Sequence, residues 1–167
     1  MPDIELVIAT PEQRGVIENM MQFYVHDFSE FWWDQERGEV EADGRFEPYP
    51  LDPFWTEADH IPLLLRRDGN WVGFALLDRS SHSGKPTDHH MVEFFILRKH
   101  RRGGVGTAAM NAITTRYPGL WETAVVRRNA QAQAFWRKIA HTHAEVEDLD
   151  YDNTAWNGPI LRFRVAG

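Results

Sequence analysis

The sequence predicts a mixed α/β fold for a single domain spanning all 167 residues. Short apolar runs rich in β-branched residues, typical of strands, alternate with segments whose apolar residues recur at helical spacing. Their order, β-α-(α)-β-β-β-α-β-α-β-β, places a strand directly before a helix near the middle of the chain. Apolar residues make up 43% of the chain and charged residues 26%, an ordinary globular composition that argues against overall disorder.

The first strand and helix are marked by their residue types and by a capping signal. The run "IELVIA", residues 4–9, is short, apolar and β-branched, as a strand requires. Thr10 and Gln13 form a capping-box pattern, so a helix is expected to follow and to reach about Phe28. An irregular segment and then a short helix are expected at 29–52 and 52–59.

Turn residues and hydrophobic runs define the remaining elements. Asp68-Gly69 separates two apolar runs and predicts a hairpin turn. The run at 89–97 is apolar nearly throughout, which favours a central strand buried on both faces. Asn129 is the expected N-cap of a later helix. The predicted segments are a hairpin over 61–79, a loop over 80–88, strands at 89–97, 120–127, 144–149 and 159–165, and helices at 105–117 and 129–140.

Charge and composition exclude several classes of protein. The net charge of −7 argues against general nucleic-acid binding, which needs a broad basic face, and mildly favours a cationic partner. The absence of cysteine excludes a disulfide framework, a thiolate metal site and a cysteine nucleophile. No apolar run approaches the length of a membrane span, and the N-terminal segment does not resemble a signal peptide, so a cytoplasmic location is expected.

The stretch "RKHRRGGVGTAAM", residues 98–110, concentrates positive charge beside a glycine-rich turn in this acidic chain. The first turn of a helix carries unpaired N–H groups and the positive end of the helix dipole, and glycines let a bulky anion approach them. A pyrophosphate group suits such a turn. The glycine pattern alone also fits a simple strand-to-helix turn with solvated arginines, and it matches neither the dinucleotide nor the Walker spacing.

Two motifs in this chain resemble those of the GNAT superfamily of N-acetyltransferases. "RRGGVG", residues 101–106, matches Gln/Arg-x-x-Gly-x-Gly/Ala, the coenzyme A pyrophosphate signature of that superfamily. "NAQAQAFW", residues 129–136, resembles its later Asn-x-x-Ala-x-x-Phe-Tyr helix. The order of elements is also similar along nearly the whole chain, and short details such as "YVHDFSEF" resemble a bacterial branch.

The resemblance implies a fold and a co-substrate. It implies a mixed central sheet, flanked by helices, that splays between strands four and five and holds acetyl-CoA in the opening. The pantetheine arm would pair with the backbone of Phe95, Ile96 and Leu97, while Asn129 and Phe135 would line its far side. The implied pyrophosphate site is Arg101, Arg102, Gly103, Gly104, Val105, Gly106 and Thr107.

Acetyl transfer needs a base for the amine and an acid for the departing thiol. Glu93 is the first candidate base, because an apolar strand raises the pKa of a carboxyl group. His90 is the second, since its ordinary pKa lies near neutrality. In the family a tyrosine commonly supplies the acid, but Trp136 occupies that position here and an indole is not an acid. Tyr24, a water molecule or unaided departure of the thiolate remain open.

The segment "YVHDFSEFWWD", residues 24–34, corresponds to the part of the family that covers the acceptor site. Tyr24, Asp27, Trp32 and Trp33 are the candidate acceptor residues. Asp27, like Glu30, would attract an amine and the tryptophans would stack on its body, although packing is the alternative for the aromatic residues. No metal is expected, because His82, His89 and His90 lack tight ligand spacing.

The expected activity is transfer of acetyl to a primary amine of a small metabolite, an antibiotic or a protein. Two alternatives stay open: an acyl-CoA-binding module without turnover, and a nucleotide-binding domain of another type. The resemblance also allows a homodimer, because dimers are common in the superfamily.

Overall fold

The computed structural model describes residues 1–167 as a seven-stranded sheet with helices on both faces. None of its helices combines the length and the apolar character that crossing a membrane requires. The strands are β1 (Glu5–Ile8), β2 (Ile61–Arg67), β3 (Asn70–Asp78), β4 (His89–Ile96), β5 (Gly119–Ala124), β6 (Ala144–Asp152) and β7 (Asn157–Val165). The helices are α1 (Arg14–Ser29), α2 (Pro53–Thr56), α3 (Val105–Arg116) and α4 (Ala130–Ala140).

The strands lie in the order β1-β2-β3-β4-β5-β7-β6, and every neighbouring pair is antiparallel except β4 and β5. These two parallel strands pair only at His89–Trp121 and His90–Glu122, near the start of β4. Beyond those pairs the strands separate, which leaves one edge of β4 without a neighbouring strand. The expected mixed sheet with a splay between its fourth and fifth strands is confirmed.

Two hydrophobic layers hold the helices on opposite faces of the sheet. On one face, α1 and α2 pack Ile17, Met21 and Phe54 against β2 and β3. On the other face, α3 and α4 pack Met110 and Ile139, among others, against the same sheet. Burying both faces explains why the central strands are apolar nearly throughout, since neither side of the sheet meets water.

Local signals in the sequence mark where the helices begin. The backbone N–H of Thr10 donates to the side chain of Gln13 at 3.0 Å, completing the capping box, and a short 3-10 turn precedes α1. Asn129 accepts a hydrogen bond from the N–H of Ala132 at 3.0 Å and caps α4 as predicted. Strand β6 runs beyond its expected end, to Asp152, because pairing with β7 continues through its polar residues, whereas β5 and α2 end earlier than expected, at Ala124 and Thr56.

A β-bulge in β4 changes which side chains share a face. Glu93 pairs with Leu76 and Met91 pairs with Leu77, so Val92 has no partner on β3. His90 in turn pairs with Asp78. Directly paired residues point to the same face, so His90 and Glu93 both lie on the α1 face, whereas an unbroken strand would place residues three apart on opposite faces.

Candidate functional site

Two cavities meet at the splay between β4 and β5. The first, called here the Glu93 cavity, has a volume of about 880 Å³ and is lined by Glu93, His90 and many aromatic residues. The second, the glycine-turn cavity, has a volume of about 820 Å³ and is lined by Gly104, Gly106 and their basic neighbours. The residues that line both cavities are Tyr24, Phe28, Phe31, Phe94, Asn129, Ala132 and Trp136.

Glu93 receives hydrogen bonds from two tyrosines. The hydroxyl of Tyr24, on α1, donates to Oε2 of Glu93, and the hydroxyl of Tyr49, in the irregular segment before α2, donates to Oε1 at 2.9 Å. Burial raises the pKa of Glu93, and the two hydrogen bonds oppose this without cancelling it. Burial and the nearby charge of Glu93 likewise raise the pKa of Tyr24. The carboxyl group is thereby made more basic than an exposed glutamate.

His90 lies in the same cavity, oriented by an acidic partner. Its side chain is buried, and its Nδ1 is 3.1 Å from Oδ1 of Asp78 and 2.9 Å from Oγ of Ser80. Partial burial acts to raise the pKa of Asp78, but hydrogen bonds from His90 and Ser80 hold it below its ordinary value. Because Asp78 accepts from Nδ1, Nε2 is the ring nitrogen available to another group.

The remaining histidines singled out in the sequence do not converge with His90 on a metal site. The ring of His82 lies 5.2 Å from that of His90 and 4.6 Å from that of Trp156, and burial lowers its pKa. His89 points elsewhere, with Nε2 at 3.1 Å from the carbonyl of Pro118. No three histidine, aspartate or glutamate side chains come together as a set of ligands.

A buried ion pair fixes the loop that carries His82. Glu122 and Arg162 are 0% and 3% exposed in their side chains, and their closest atoms lie 2.5 Å apart. Glu122 also accepts from the backbone N–H groups of His82 and Ser83 at 2.7 and 3.2 Å. The carboxylate of Glu122, in β5, therefore holds this loop in place. No local sequence pattern predicts that Glu122 pairs with Arg162.

The glycine turn presents consecutive unpaired amides. None of the six N–H groups from Arg102 to Thr107 has a protein acceptor, and the first helical bond runs from Ala108 to the carbonyl of Gly104 at 2.9 Å. Arg102 and Gly104 adopt left-handed conformations, with φ of 65° and 77°. Successive N–H groups in such a turn at a helix N-terminus form a concave site for an anion.

Space and charge around this turn also suit an anion. The space beside Gly103 is open, because a Cβ added there would meet nothing within 4 Å. At Gly106 an added Cβ would lie 3.3 Å from the ring of Phe135, so a side chain there would be crowded. Four cations line the cavity against two carboxylates, so its wall has an excess of positive charge. The cations are Arg98, Arg101, Arg102 and Lys138, and the carboxylates are Asp27 and Glu30.

Most residues expected at the coenzyme line the glycine-turn cavity, and three do not. Those that line it are Phe95, Ile96, Arg101, Arg102, Gly104, Gly106, Thr107, Asn129 and Phe135. Gly103 is outside the lining, and Val105 is buried in the core. The N–H of Leu97 bonds the carbonyl of Val72 at 2.9 Å, toward β3. Backbone direction alternates along a strand, so the N–H of Ile96 faces the splay.

The acidic candidate for the acceptor, Asp27, lies beside the glycine turn instead of near Glu93. Its carboxylate bonds Arg98 at 2.6 Å and Arg101 at 2.7 Å. Partial burial acts to raise its pKa, but the hydrogen bonds from Arg101 and Arg98 hold the pKa below its usual value. Glu30 lines the same cavity. The structure therefore brings Asp27 together with the basic loop and apart from the Glu93 cavity.

The two tryptophans of the same segment, Trp32 and Trp33, lie in different surroundings. Trp32 lines the Glu93 cavity, and Arg37 lies over its ring at 4.4 Å. Trp33 is 78% exposed and lines neither cavity, although the guanidinium of Arg128 lies 5.5 Å from its ring. Trp32 alone is thus positioned to contact a molecule bound beside Glu93.

Trp136 fills the junction of the cavities, packed against Phe94 and Phe135 with ring centroids at 5.5 and 5.1 Å. The phenol that lies at this junction belongs to Tyr24. Sequence reasoning missed Tyr49, Asp78, Gln131 and Lys138. For the last two a signal existed, because they share helical spacing with Phe135 on α4.

Comparisons with known proteins agree with this geometry. Residues 18–141 match a family model described as Acetyltransferase (GNAT) family. No curated protein sequence matches the chain significantly. Many solved structures are similar to this chain, and the three described next match nearly its whole length at low sequence identity, where the likeness shows the fold.

An acetyltransferase from Thermus thermophilus is 12% identical, with a TM-score of 0.67 and 99% of this chain and 100% of that chain covered. The PaiA N-acetyltransferase from Thermoplasma acidophilum, in complex with coenzyme A, is 14% identical, with a TM-score of 0.61 and coverage of 97% and 99%. The ribosomal-protein-S18-alanine N-acetyltransferase from Escherichia coli is 11% identical, with a TM-score of 0.60 and coverage of 98% and 95%.

Proposed function

Because the chain belongs to the GNAT acetyltransferase family, we propose that it transfers an acetyl group from acetyl-CoA to a primary amine. The observation that carries the proposal is the meeting of two unlike cavities at the splay. One has unpaired amides and excess positive charge, which suit a pyrophosphate. The other has a carboxylate with a raised pKa, which suits a base.

The coenzyme is proposed to bind in the glycine-turn cavity. The six free amides from Arg102 to Thr107 would receive its pyrophosphate, and the surrounding cations would offset its charge. Its pantetheine arm would run along the free edge of β4, where the N–H of Ile96 faces the splay. That N–H would also be placed to donate to the thioester oxygen as negative charge develops there. The PaiA structure, which is similar in fold, contains coenzyme A, and this supports coenzyme A as the ligand of the present chain.

Glu93 is proposed to take the proton of the amine. The nitrogen forms a bond to the thioester carbon, the carbon–sulfur bond breaks, and a proton moves from nitrogen to the carboxylate of Glu93, directly or through one water molecule. His90, held by Asp78, is the second candidate for this role. Both side chains line the cavity in which the amine would sit.

Tyr24 is proposed to protonate the departing sulfur, because position 136, where the family commonly has a tyrosine, holds a tryptophan. Its hydroxyl bonds Glu93, and its side chain lines both cavities. Transfer of its proton to sulfur would be balanced by transfer of the proton from Glu93 to the phenolate oxygen. The net result is N-acetylation, with the amine proton delivered to the thiol and both side chains restored.

The test is release of coenzyme A thiol from acetyl-CoA over a panel of primary amines, with the acetylated product identified by mass spectrometry. Transfer that is lost in Glu93→Gln, with coenzyme affinity retained, supports the enzyme. Tight coenzyme binding with no product from any amine supports the alternative, an acyl-CoA-binding module. Protection from heat by ATP or NAD but not by coenzyme A would contradict both.

A further inference from the structure

The charge around the Glu93 cavity indicates which kind of acceptor the cavity suits. This inference rests on the proposed function. Glu93 is the only carboxylate in the lining, and it is already bonded by two tyrosines. Three guanidinium groups line the same cavity. Two of them are neutralised by carboxylates outside the lining, Arg127 by Asp150 at 3.0 Å and Arg128 by Asp34 at 2.5 Å.

The third guanidinium, that of Arg37, has no carboxylate partner. Its Nε donates to the side-chain oxygen of Gln35 at 2.8 Å, and its Cζ lies over the Trp32 ring, 4.4 Å from the ring centroid. Its terminal nitrogens have no protein acceptor. Stacking on an indole holds the guanidinium in place while leaving its paired N–H groups free, which is the geometry that binds a carboxylate through two bonds.

The indole of Trp32 contributes its ring to this wall and not a donor. Its N–H is shielded from solvent and has no hydrogen-bond acceptor, so a ligand in the cavity does not reach it. Arg37 can only donate, and it therefore favours a ligand with acceptor oxygens.

Aromatic side chains form a large part of the remaining wall. Phe28, Phe31, Tyr49 and Trp156 line the Glu93 cavity together with Trp32, and the volume of about 880 Å³ is ample for a ring-bearing small molecule. A polycation would find one carboxylate here, and it would meet the guanidinium of Arg37, whose like charge no carboxylate offsets. The wall therefore favours an apolar body and disfavours polyamines and aminoglycosides.

We propose that the acceptor is an aromatic amino acid, or a small molecule of the same kind, with a primary amine, an aromatic body and a carboxylate. The amine is deprotonated at Glu93, the ring packs in the aromatic wall, and the carboxylate binds Arg37. Arg37 is a specificity-determining residue in this arrangement and does not contact the reacting atoms.

The experiment compares amines that differ only by the carboxylate. The pairs are phenylalanine with phenethylamine and tryptophan with tryptamine, with spermidine as a polycation. We expect kcat/KM to be about tenfold or more higher for the member of each pair that carries the carboxylate, the scale of one charge-assisted bidentate contact. Preference for the decarboxylated members, or for spermidine, would overturn the inference.

Arg37→Gln separates specificity from catalysis. We expect this variant to raise KM for phenylalanine about tenfold, to leave kcat nearly unchanged and to abolish the preference over phenethylamine, because the contact is equal in the ground and transition states. KM for acetyl-CoA should not move. The matched control is Arg45→Gln, in the same irregular segment but outside both cavities, which should leave every constant unchanged.

Equilibrium binding keeps the inference distinguishable from the proposed function. Calorimetric titration of phenylalanine and phenethylamine into the protein saturated with coenzyme A needs no turnover. Tighter binding of phenylalanine that is lost in Arg37→Gln supports the inference even if no product forms, in which case only the proposed activity fails. Equal binding of the two, or an unchanged difference in the variant, contradicts it whatever the activity.

Discussion

Tyr24 donates a hydrogen bond to Glu93 at the junction of the two cavities, so a phenol and a carboxylate are linked where an amine and a thioester would meet. The charge of Glu93 contributes to the raised pKa of Tyr24. If Glu93 takes a proton as proposed, that charge disappears, and the phenol becomes a stronger acid at the step in which a thiolate would need a proton.

Tyr24→Phe and Tyr49→Phe form a matched pair, because both phenols bond the same carboxylate. Tyr24 lines both cavities and Tyr49 lines only the Glu93 cavity. We expect Tyr24→Phe to lower kcat with acetyl-CoA about 100-fold, the scale of lost general-acid catalysis, and Tyr49→Phe to lower it much less. Steady-state kinetics of thiol release measures both.

The leaving group supplies the control for that pair. An acetyl thioester of a more acidic aryl thiol needs no proton on sulfur, so it should restore most of the rate of Tyr24→Phe relative to wild type. If both variants lose activity equally and neither is rescued, the tyrosines only orient Glu93 and the relay is wrong.

The pH profile should report the raised pKa of Glu93. The base must be ionised, so kcat/KM, calculated from the concentration of neutral amine, should fall as pH decreases through a pKa above the ordinary 4.5 of a glutamate. Tyr49→Phe removes a hydrogen bond to the ionised form and should move this acid limb upward by about one pH unit, on the scale of one hydrogen bond. An acid limb that does not move in Tyr49→Phe would contradict Glu93 as the base. An acid limb that persists in Glu93→Gln would do the same.

The glycine turn can be tested through coenzyme affinity. Gly104→Val and Gly106→Val place a side chain beside the free amides, and Gly106→Val also presses on Phe135. We expect each to weaken coenzyme A binding at least about tenfold in calorimetry, the scale of a lost charge-assisted contact. Gly44→Val is the control for backbone strain, because Gly44 has a φ of 80°, close to the 77° of Gly104, and lines neither cavity. Unchanged affinity for coenzyme A in Gly104→Val and Gly106→Val would contradict an anion site at this turn.

The buried pair of Glu122 and Arg162 should dominate the effect of charge on stability. Glu122→Gln leaves a buried guanidinium without its counter-charge and should lower the free energy of unfolding by about 3 to 5 kcal/mol. Glu18→Gln, which breaks the exposed pair with Arg14, should lower it much less, because solvent screens an exposed ion pair. Urea denaturation measures both, and similar values for the two would contradict the role of burial.

Acid should remove the same contribution. Burial acts to raise the pKa of Glu122, but hydrogen bonds from Ser83 and Arg162 hold the pKa below the ordinary 4.5. The folded protein therefore binds this proton less readily than the unfolded chain does. The stability gained from Glu122 is complete above pH 4.5 and declines as pH falls through the depressed pKa, and Glu122→Gln should lose this part of the acid dependence.

The order of elements was predictable because each strand and helix has a local signal, such as the capping box at Thr10 or the hairpin turn at Asp68. The splay was expected only through the resemblance, since two strands of ordinary composition do not reveal where their pairing stops. The bond from Tyr49 to Glu93 joins residues 44 positions apart across an irregular segment, and no local pattern announces it.

Asp27 illustrates a different limit of sequence reasoning. Its acidic character beside aromatic residues suggested an amine site, but the position of a side chain on a helix depends on what lies opposite. Asp27 follows Tyr24 by three residues on α1 and faces Arg98 and Arg101 of the basic loop. The sequence shows that Asp27 is acidic, but which residues it pairs with depends on how α1 packs against the end of β4.

The unpaired Val92 ties the shape of β4 to the spacing of His90 and Glu93. A regular strand brings two side chains to one face only at even separation, and the kink permits an odd one. A homologous chain with a straight strand would need an even interval between its histidine and its glutamate to bring both side chains to one face.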